Sequence, residues 1–239
     1  MKLSNLKFNA KVTPVMDLDE DDLISNSSQL GSEFLGFYSQ VIPIKQVEVF
    51  LDEAIREPKY YRSIIQMLGT LQQHDTCTFF VETPGGNADG ILALCEAVDA
   101  SEGQIQAIIT GQASSAGSLF ALRCPNVGVA PNARMMIHAA SFGYGGKHMD
   151  AVRGMEFQHK WLSKVFRQAY EGFLTEEEIE QCLDGREFWF LSEEIVERLE
   201  ARELYLESKA LAEELMQEEQ EESEVIPEVK VVKSRKPKN

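Results

Sequence analysis

Basic residues are scarce in this chain. Lys and Arg number 23 against 39 Asp and Glu, a formal net charge of -16 over 239 residues. A surface this acidic repels nucleic-acid phosphates and anionic bilayers, so neither is expected as a partner. Long apolar runs are missing as well. No stretch approaches the roughly 18 residues of a membrane span, and residues 1–30 lack the apolar segment of a secretory signal. The expectation is a soluble, cytoplasmic protein. Cysteine is sparse, at Cys77, Cys95, Cys124 and Cys182, with no close pair of the metal-binding kind. A chain of this length needs no disulfide staple, so reduced thiols are expected. Nothing in the sequence calls for a metal or a cofactor.

What is present suffices for a core: 44% of the residues are hydrophobic, the globular range. The length suits one domain with tails. Residues 1–40 read as an irregular acidic arm, with Asp17, Asp19, Glu20, Asp21 and Asp22 followed by a polar loop. Residues 41–216 read as the folded domain. Residues 217–239 pass from acidic (Glu218, Glu219, Glu221, Glu222) to basic (Lys230, Lys233, Arg235, Lys236, Lys238), with little to bury, and are expected to be disordered.

Within the domain, Val47, Val49 and Leu51 alternate as in a half-buried strand. Residues 78–81, 105–109, 127–129 and 135–137 read as further short strands, with Gly111 ending the third of these five. Between them the apolar residues of 64–71 and 91–98 recur at helical spacing, and 149–173, 176–183 and 193–215 read as later helices. Strands alternating with helices imply parallel pairing through right-handed crossovers, hence an α/β fold.

The chemistry-bearing segment is Gly111-Gln-Ala-Ser-Ser-Ala-Gly117. A strand ends, small residues crowd together and a helix begins, which is the layout of a nucleophile elbow. Ser115 has Ala113 two residues before it and Gly117 two after, a relative of G-x-S-x-G. A helix N-terminus at this point offers free N–H groups and partial positive charge to an oxyanion. A serine needs a base, and the chain has four histidines: His74, His138, His148 and His159. His138 directly follows a strand, where a side chain can point into a site. A second turn, Thr83-Pro84-Gly85-Gly86, follows another strand, and its glycines let backbone N–H groups come close to a ligand. In an acyl-transfer enzyme that turn could form half of an oxyanion hole, with the Ala116 N–H as the other half.

The order of these motifs resembles the proteolytic subunit of the Clp protease. Pro84-Gly-Gly86, Gly111–Gly117, Arg134-Met-Met-Ile-His138 and Gly143-Tyr-Gly-Gly146 carry the resemblance, with Gly185-Arg-Glu-Phe-Trp189 and Ser192-Glu-Glu resembling the segment that holds that family's catalytic aspartate. It covers roughly residues 40–200. It implies a crotonase-like fold of repeated β-β-α units with a long handle helix at about 149–173. It implies a serine endopeptidase with Ser115 as nucleophile, His138 as base, and Gly86 and Ala116 as oxyanion donors. It further implies a homo-oligomeric ring enclosing the sites, and an AAA+ unfoldase that feeds in unfolded polypeptide.

The sequence departs from the family pattern in places. The third triad member should be an aspartate, yet Glu187 stands at the best-matching position, with Asp184 nearby as the alternative. The family's Tyr-Gly-Leu-type ending is replaced by Glu197-Arg-Leu-Glu200, and the first 40 residues do not match its axial arm closely. These departures suggest a divergent branch, viral or working with an unusual partner. The readings left beside the Clp-type peptidase are a capsid or scaffold maturation protease on the same fold, a ring subunit without activity, and an acyl-CoA hydratase or isomerase. The last of these would normally need catalytic carboxylates in place of a serine and a histidine.

Overall fold

The computed structural model describes residues 43–143 and 145–225. The N-terminal arm, Tyr144 of the Gly143–Gly146 motif and residues 226–239 lie outside the described residues. The described residues from Ile44 onward belong to one unit built around a mixed sheet of six strands.

Strand β1 (Gln46–Leu51) pairs in parallel with β2 (Thr76–Thr83), and β2 with β3 (Gln104–Ser114). The period-2 rule is followed closely in β2, where Cys77, Phe79, Val81 and Thr83 are buried and alternate with more exposed residues. The first crossover runs through a 3-10 turn, Pro58–Tyr61, and α1 (Arg62–Leu68). The second is α2 (Ala88–Asp99). The Asn87 side chain starts α2 by accepting the Gly90 N–H at 2.8 Å, and Ile91, Leu94, Cys95 and Val98 form its buried stripe. Helix α3 (Ala116–Arg123) sends Phe120 onto the sheet, edge-on to Phe79 with ring centroids 4.8 Å apart.

Strand β3 does not end at Gly111 as its sequence suggested. Its first half, Gln106–Ile109, pairs with β4 (Asn126–Val129), and its second half, Gln112–Ser114, pairs with β5 (Arg134–Ile137). Two short partners laid end to end along one long strand keep the ladder going through the glycine. The segment Phe188–Leu191, which has no alternation to mark it, forms β6. It pairs antiparallel to β5 in the register Ile137↔Phe188 and Arg134↔Leu191.

Helix α4 (His148–Tyr170) buries only Phe166 and Tyr170 completely and ends three residues before the expected Phe173. Helix α5 (Glu176–Leu183) opens with a capping box, in which Thr175 and Glu178 satisfy each other's backbone N–H groups. Helix α6 runs from Ser192 to Val225, well into the stretch expected to be disordered from 217. Its first turns pack on the domain through Ile195, and beyond them strong helix formers (Ala, Leu, Glu, Gln and Met) with no Gly or Pro favour its continuation. All four cysteines are buried free thiols. Burial pushes the Cys77 and Cys182 thiols up to about 11.

Candidate active site

The Pro84–Gly86 turn, Ser115, His138 and Glu187 all lie along one edge of the sheet. Strands β2, β3 and β5 are parallel neighbours, and their carboxyl ends deliver Pro84–Gly86, Ser115 and His138. Strand β6 runs the other way, so its amino end reaches the same edge with Glu187 just before it. Ligand sites in α/β sheets gather at such carboxyl edges.

The register sets the central pair. Ser114 stands opposite Met136, and the Ser115 N–H donates to the Met136 carbonyl at 2.8 Å. His138, two residues further along β5, therefore arrives beside Ser115. Its Nε2 lies 2.9 Å from Ser115 Oγ. Ser115 has φ 53° and ψ -119°, and is the one non-glycine residue with positive φ among the described residues. A serine held there is strained, and such strain collects at functional turns. Ser114 is excluded from the pairing: it is fully buried and its Oγ accepts from Gln112 Nε2 at 2.8 Å.

The glycine loop is wired from both sides. Thr83 Oγ1 donates to the Glu53 carbonyl at 2.6 Å and accepts the Gly85 N–H at 3.1 Å. The Ile55 N–H donates to Gly85 O, and the Asn87 N–H to Ile55 O, both at 2.8 Å. This bridge uses the groups flanking Gly86 and leaves its own N–H facing away from Ile55. Among the described residues, neither the Gly86 N–H nor the Ala116 N–H has a protein acceptor. Gly85 has φ 91°, and a Cβ on it would lie 2.5 Å from Ser114 O, so only glycine lets the loop sit this close to the elbow.

Glu187 Oε1 is 3.8 Å from His138 Nδ1, an ion-pair separation longer than a hydrogen bond, and its side chain is 53% exposed. Asp184 instead terminates α5 and lines, with Lys160 and Arg167, a depression that adjoins the cavity beside Ser115. Of the other histidines, His74 lies by Asp75, His148 begins α4, and His159 sits on the rim of the cavity beside Ser115. That cavity holds about 240 Å³ and is walled mainly by apolar side chains, among them Ile91, Leu119, Leu162, Val165 and Phe166.

Two residues that the sequence reading passed over touch the elbow. Ser118 Oγ donates to the Ser115 carbonyl at 2.7 Å and lies 2.8 Å from the Tyr170 hydroxyl. Ser118 could have been suspected as a helix residue three positions after Ser115. Tyr170, 52 positions from Ser118, carries no local signal.

A serine on a strained strand-to-helix turn, paired with an imidazole and facing unpaired N–H groups, is the arrangement serine hydrolases use. The comparisons narrow the class. The sequence profile described as Clp protease matches residues 33–198, so the chain belongs to the Clp protease family. It is 31% identical over 96 residues to the ATP-dependent Clp protease proteolytic subunit 1 of Tropheryma whipplei, covering 37% of this chain and 46% of that one. It is 26% identical over 122 residues to the subunit of the same name from Chlamydia caviae, covering 48% and 62%. The chain thus spans about half the length of the curated relatives it matches. A solved structure of a ClpP1 mutant from Listeria monocytogenes has the same fold, with a TM-score of 0.52 at 20% identity, over 63% of this chain and 86% of that one. The fold implied by the motif order is therefore the fold found.

Proposed function

We propose that this chain is a serine endopeptidase subunit in which Ser115 is the nucleophile and His138 the general base. The observation that carries the reading is the 2.9 Å contact between His138 Nε2 and Ser115 Oγ on a positive-φ turn. In the neutral imidazole Nε2 accepts the serine proton while Oγ attacks a peptide carbonyl carbon. The oxyanion that forms takes hydrogen bonds from the Gly86 and Ala116 N–H groups, helped by the positive end of α3. As the C–N bond breaks, Nε2 returns its proton to the leaving amine. Water then cleaves the acyl-enzyme with the same residues in the same roles. Glu187 faces the Nδ1–H of His138 and stabilises the imidazolium. The apolar cavity receives the side chain next to the scissile bond.

The subunit works inside a homo-oligomeric ring and takes unfolded polypeptide from an ATP-dependent AAA+ unfoldase. The relatives' name, ATP-dependent Clp protease proteolytic subunit, supports the unfoldase. The exposed apolar residues of α4 support the ring. The long, exposed His138–Glu187 contact favours a second reading, a ring subunit of weak activity.

A fluorophosphonate probe with peptide mapping tests the assignment on the purified chain, alongside cleavage of a fluorogenic peptide. The label is expected on Ser115. Ser115→Ala should abolish labelling, and His138→Ala should slow it by about a thousandfold or more. Label on Ser114, or none on an assembled sample, would overturn the reading.

A further inference from the structure

The Ser115 turn is held in a strained positive-φ conformation, so its surroundings must impose it. On the strand side the Ser115 N–H is tied to Met136 O. On the helix side the Ser115 carbonyl accepts the Ser118 N–H at 3.0 Å, the Leu119 N–H at 3.2 Å and the Ser118 hydroxyl at 2.7 Å. A serine hydroxyl has one proton, and that of Ser118 is committed to the Ser115 carbonyl. In the 2.8 Å contact between Ser118 Oγ and the Tyr170 hydroxyl either oxygen could donate, and with the Ser118 proton on the Ser115 carbonyl the tyrosine takes the donor role. The phenol oxygen itself stands 3.5 Å from the Ser115 carbonyl. Tyr170 is 2% exposed and Ser118 0%, so water does not compete for these groups.

We propose that Tyr170 is a positioning residue for the nucleophile, acting through Ser118: its hydroxyl donates to Ser118, which donates to the carbonyl of Ser115. Burial raises the phenol well above its ordinary range and keeps it a donor at any pH where a peptidase works. A donated proton polarises the Ser118 hydroxyl and strengthens its own bond to the Ser115 carbonyl. Packing alone does not need the oxygen, since phenylalanine fills the same space beside Phe166, whose ring centroid is 4.5 Å away. What the oxygen adds is control of the turn. A small shift of a nucleophile lowers the rate without altering the cavity that binds the substrate.

The inference rests on Ser115 being the nucleophile, and the experiment separates the two. Fluorophosphonate labelling rates, steady-state peptide cleavage and thermal midpoints are measured on the full chain, Tyr170→Phe, Ser118→Ala and the double variant. Each single variant should label Ser115 about tenfold more slowly, with kcat reduced in proportion and KM within about twofold. The double variant should be no slower than the worse single one, because both cut one chain of hydrogen bonds. Wild-type labelling at Ser115 with an unchanged rate in Tyr170→Phe overturns the positioning role and leaves the nucleophile standing. So does a loss that appears in KM alone. If Tyr170→Phe fails to fold, Ser118→Ala decides by the same criteria. A wild-type chain that takes no label overturns the nucleophile assignment and this role with it.

Discussion

Glu187 reaches the imidazole from one residue before β6, a strand that its sequence does not advertise. Because Phe188 pairs with Ile137, the residue before it falls level with His138, the residue after Ile137. That register explains how the longer glutamate side chain can address Nδ1. Asp184, three positions earlier at the end of α5, lies outside that ladder and lines the adjoining depression. At 3.8 Å, and with half of its side chain in solvent, Glu187 should contribute less than a buried, hydrogen-bonded aspartate does. Glu187→Gln is expected to lower peptide turnover by about tenfold, and Asp184→Asn to leave it within about twofold, measured as kcat/KM on a fluorogenic peptide. The reverse result would give the third position to Asp184.

The segment from α5 to α6 is clamped by Arg198. Its guanidinium donates to both Glu178 carboxylate oxygens, at 2.7 and 2.9 Å, and to the Phe173 carbonyl at 2.9 Å, and it lies over the Phe190 ring at 4.5 Å. One planar fork thereby joins the capping box of α5, the end of the α4 connection and strand β6. The Arg198 hydrogen bonds hold the Glu178 carboxyl below its ordinary value. A depressed carboxyl contributes stability that is present above its ordinary value of 4.5 and is lost as pH falls through that value towards the folded one. The thermal midpoint should therefore drop as the solution is acidified below about pH 4.5. Glu178→Gln should cost about 1–2 kcal/mol at pH 7 and flatten that acid limb. A series of thermal melts between neutral and acid pH checks both.

On the scale of the whole molecule, α4 leaves several large apolar side chains uncovered by the rest of the chain. Phe157 is 68% exposed and Met155 51%, with Met149 and Val152 also open to solvent. Exposed apolar side chains in this number on a charged helix suit the contact with another protein that the proposed ring requires. Sedimentation velocity at micromolar concentration is expected to show a species several times the 26.9 kDa of one chain. Met155→Glu with Phe157→Glu is expected to shift it to smaller species. A chain that sediments only as a monomer would count against the ring.

The alternation of short strands with helices, the Pro-Gly-Gly turn and the small-residue elbow at Ser115 were all legible from sequence. Each depends on neighbours a few residues away, and turn chemistry and periodicity are local properties. His138 stood out among four histidines by its place after a strand, but its role as base came only with the motif order that resembles the Clp protease family. Its approach to 2.9 Å from Ser115 follows from the parallel register of β3 and β5, which no local pattern contains. The continuation of β3 through Gly111 and the existence of β6 were likewise settled by pairing, since a strand's identity comes from its partners as much as from its residues. The contact between Tyr170 and Ser118 joins residues 52 positions apart, and only the docking of α4 on α3 brings them together. What the sequence by itself determined was the set of elements and the candidate groups at their ends. The tertiary structure alone decided which of those groups meet, because contact between distant residues is a property of how the packed elements align.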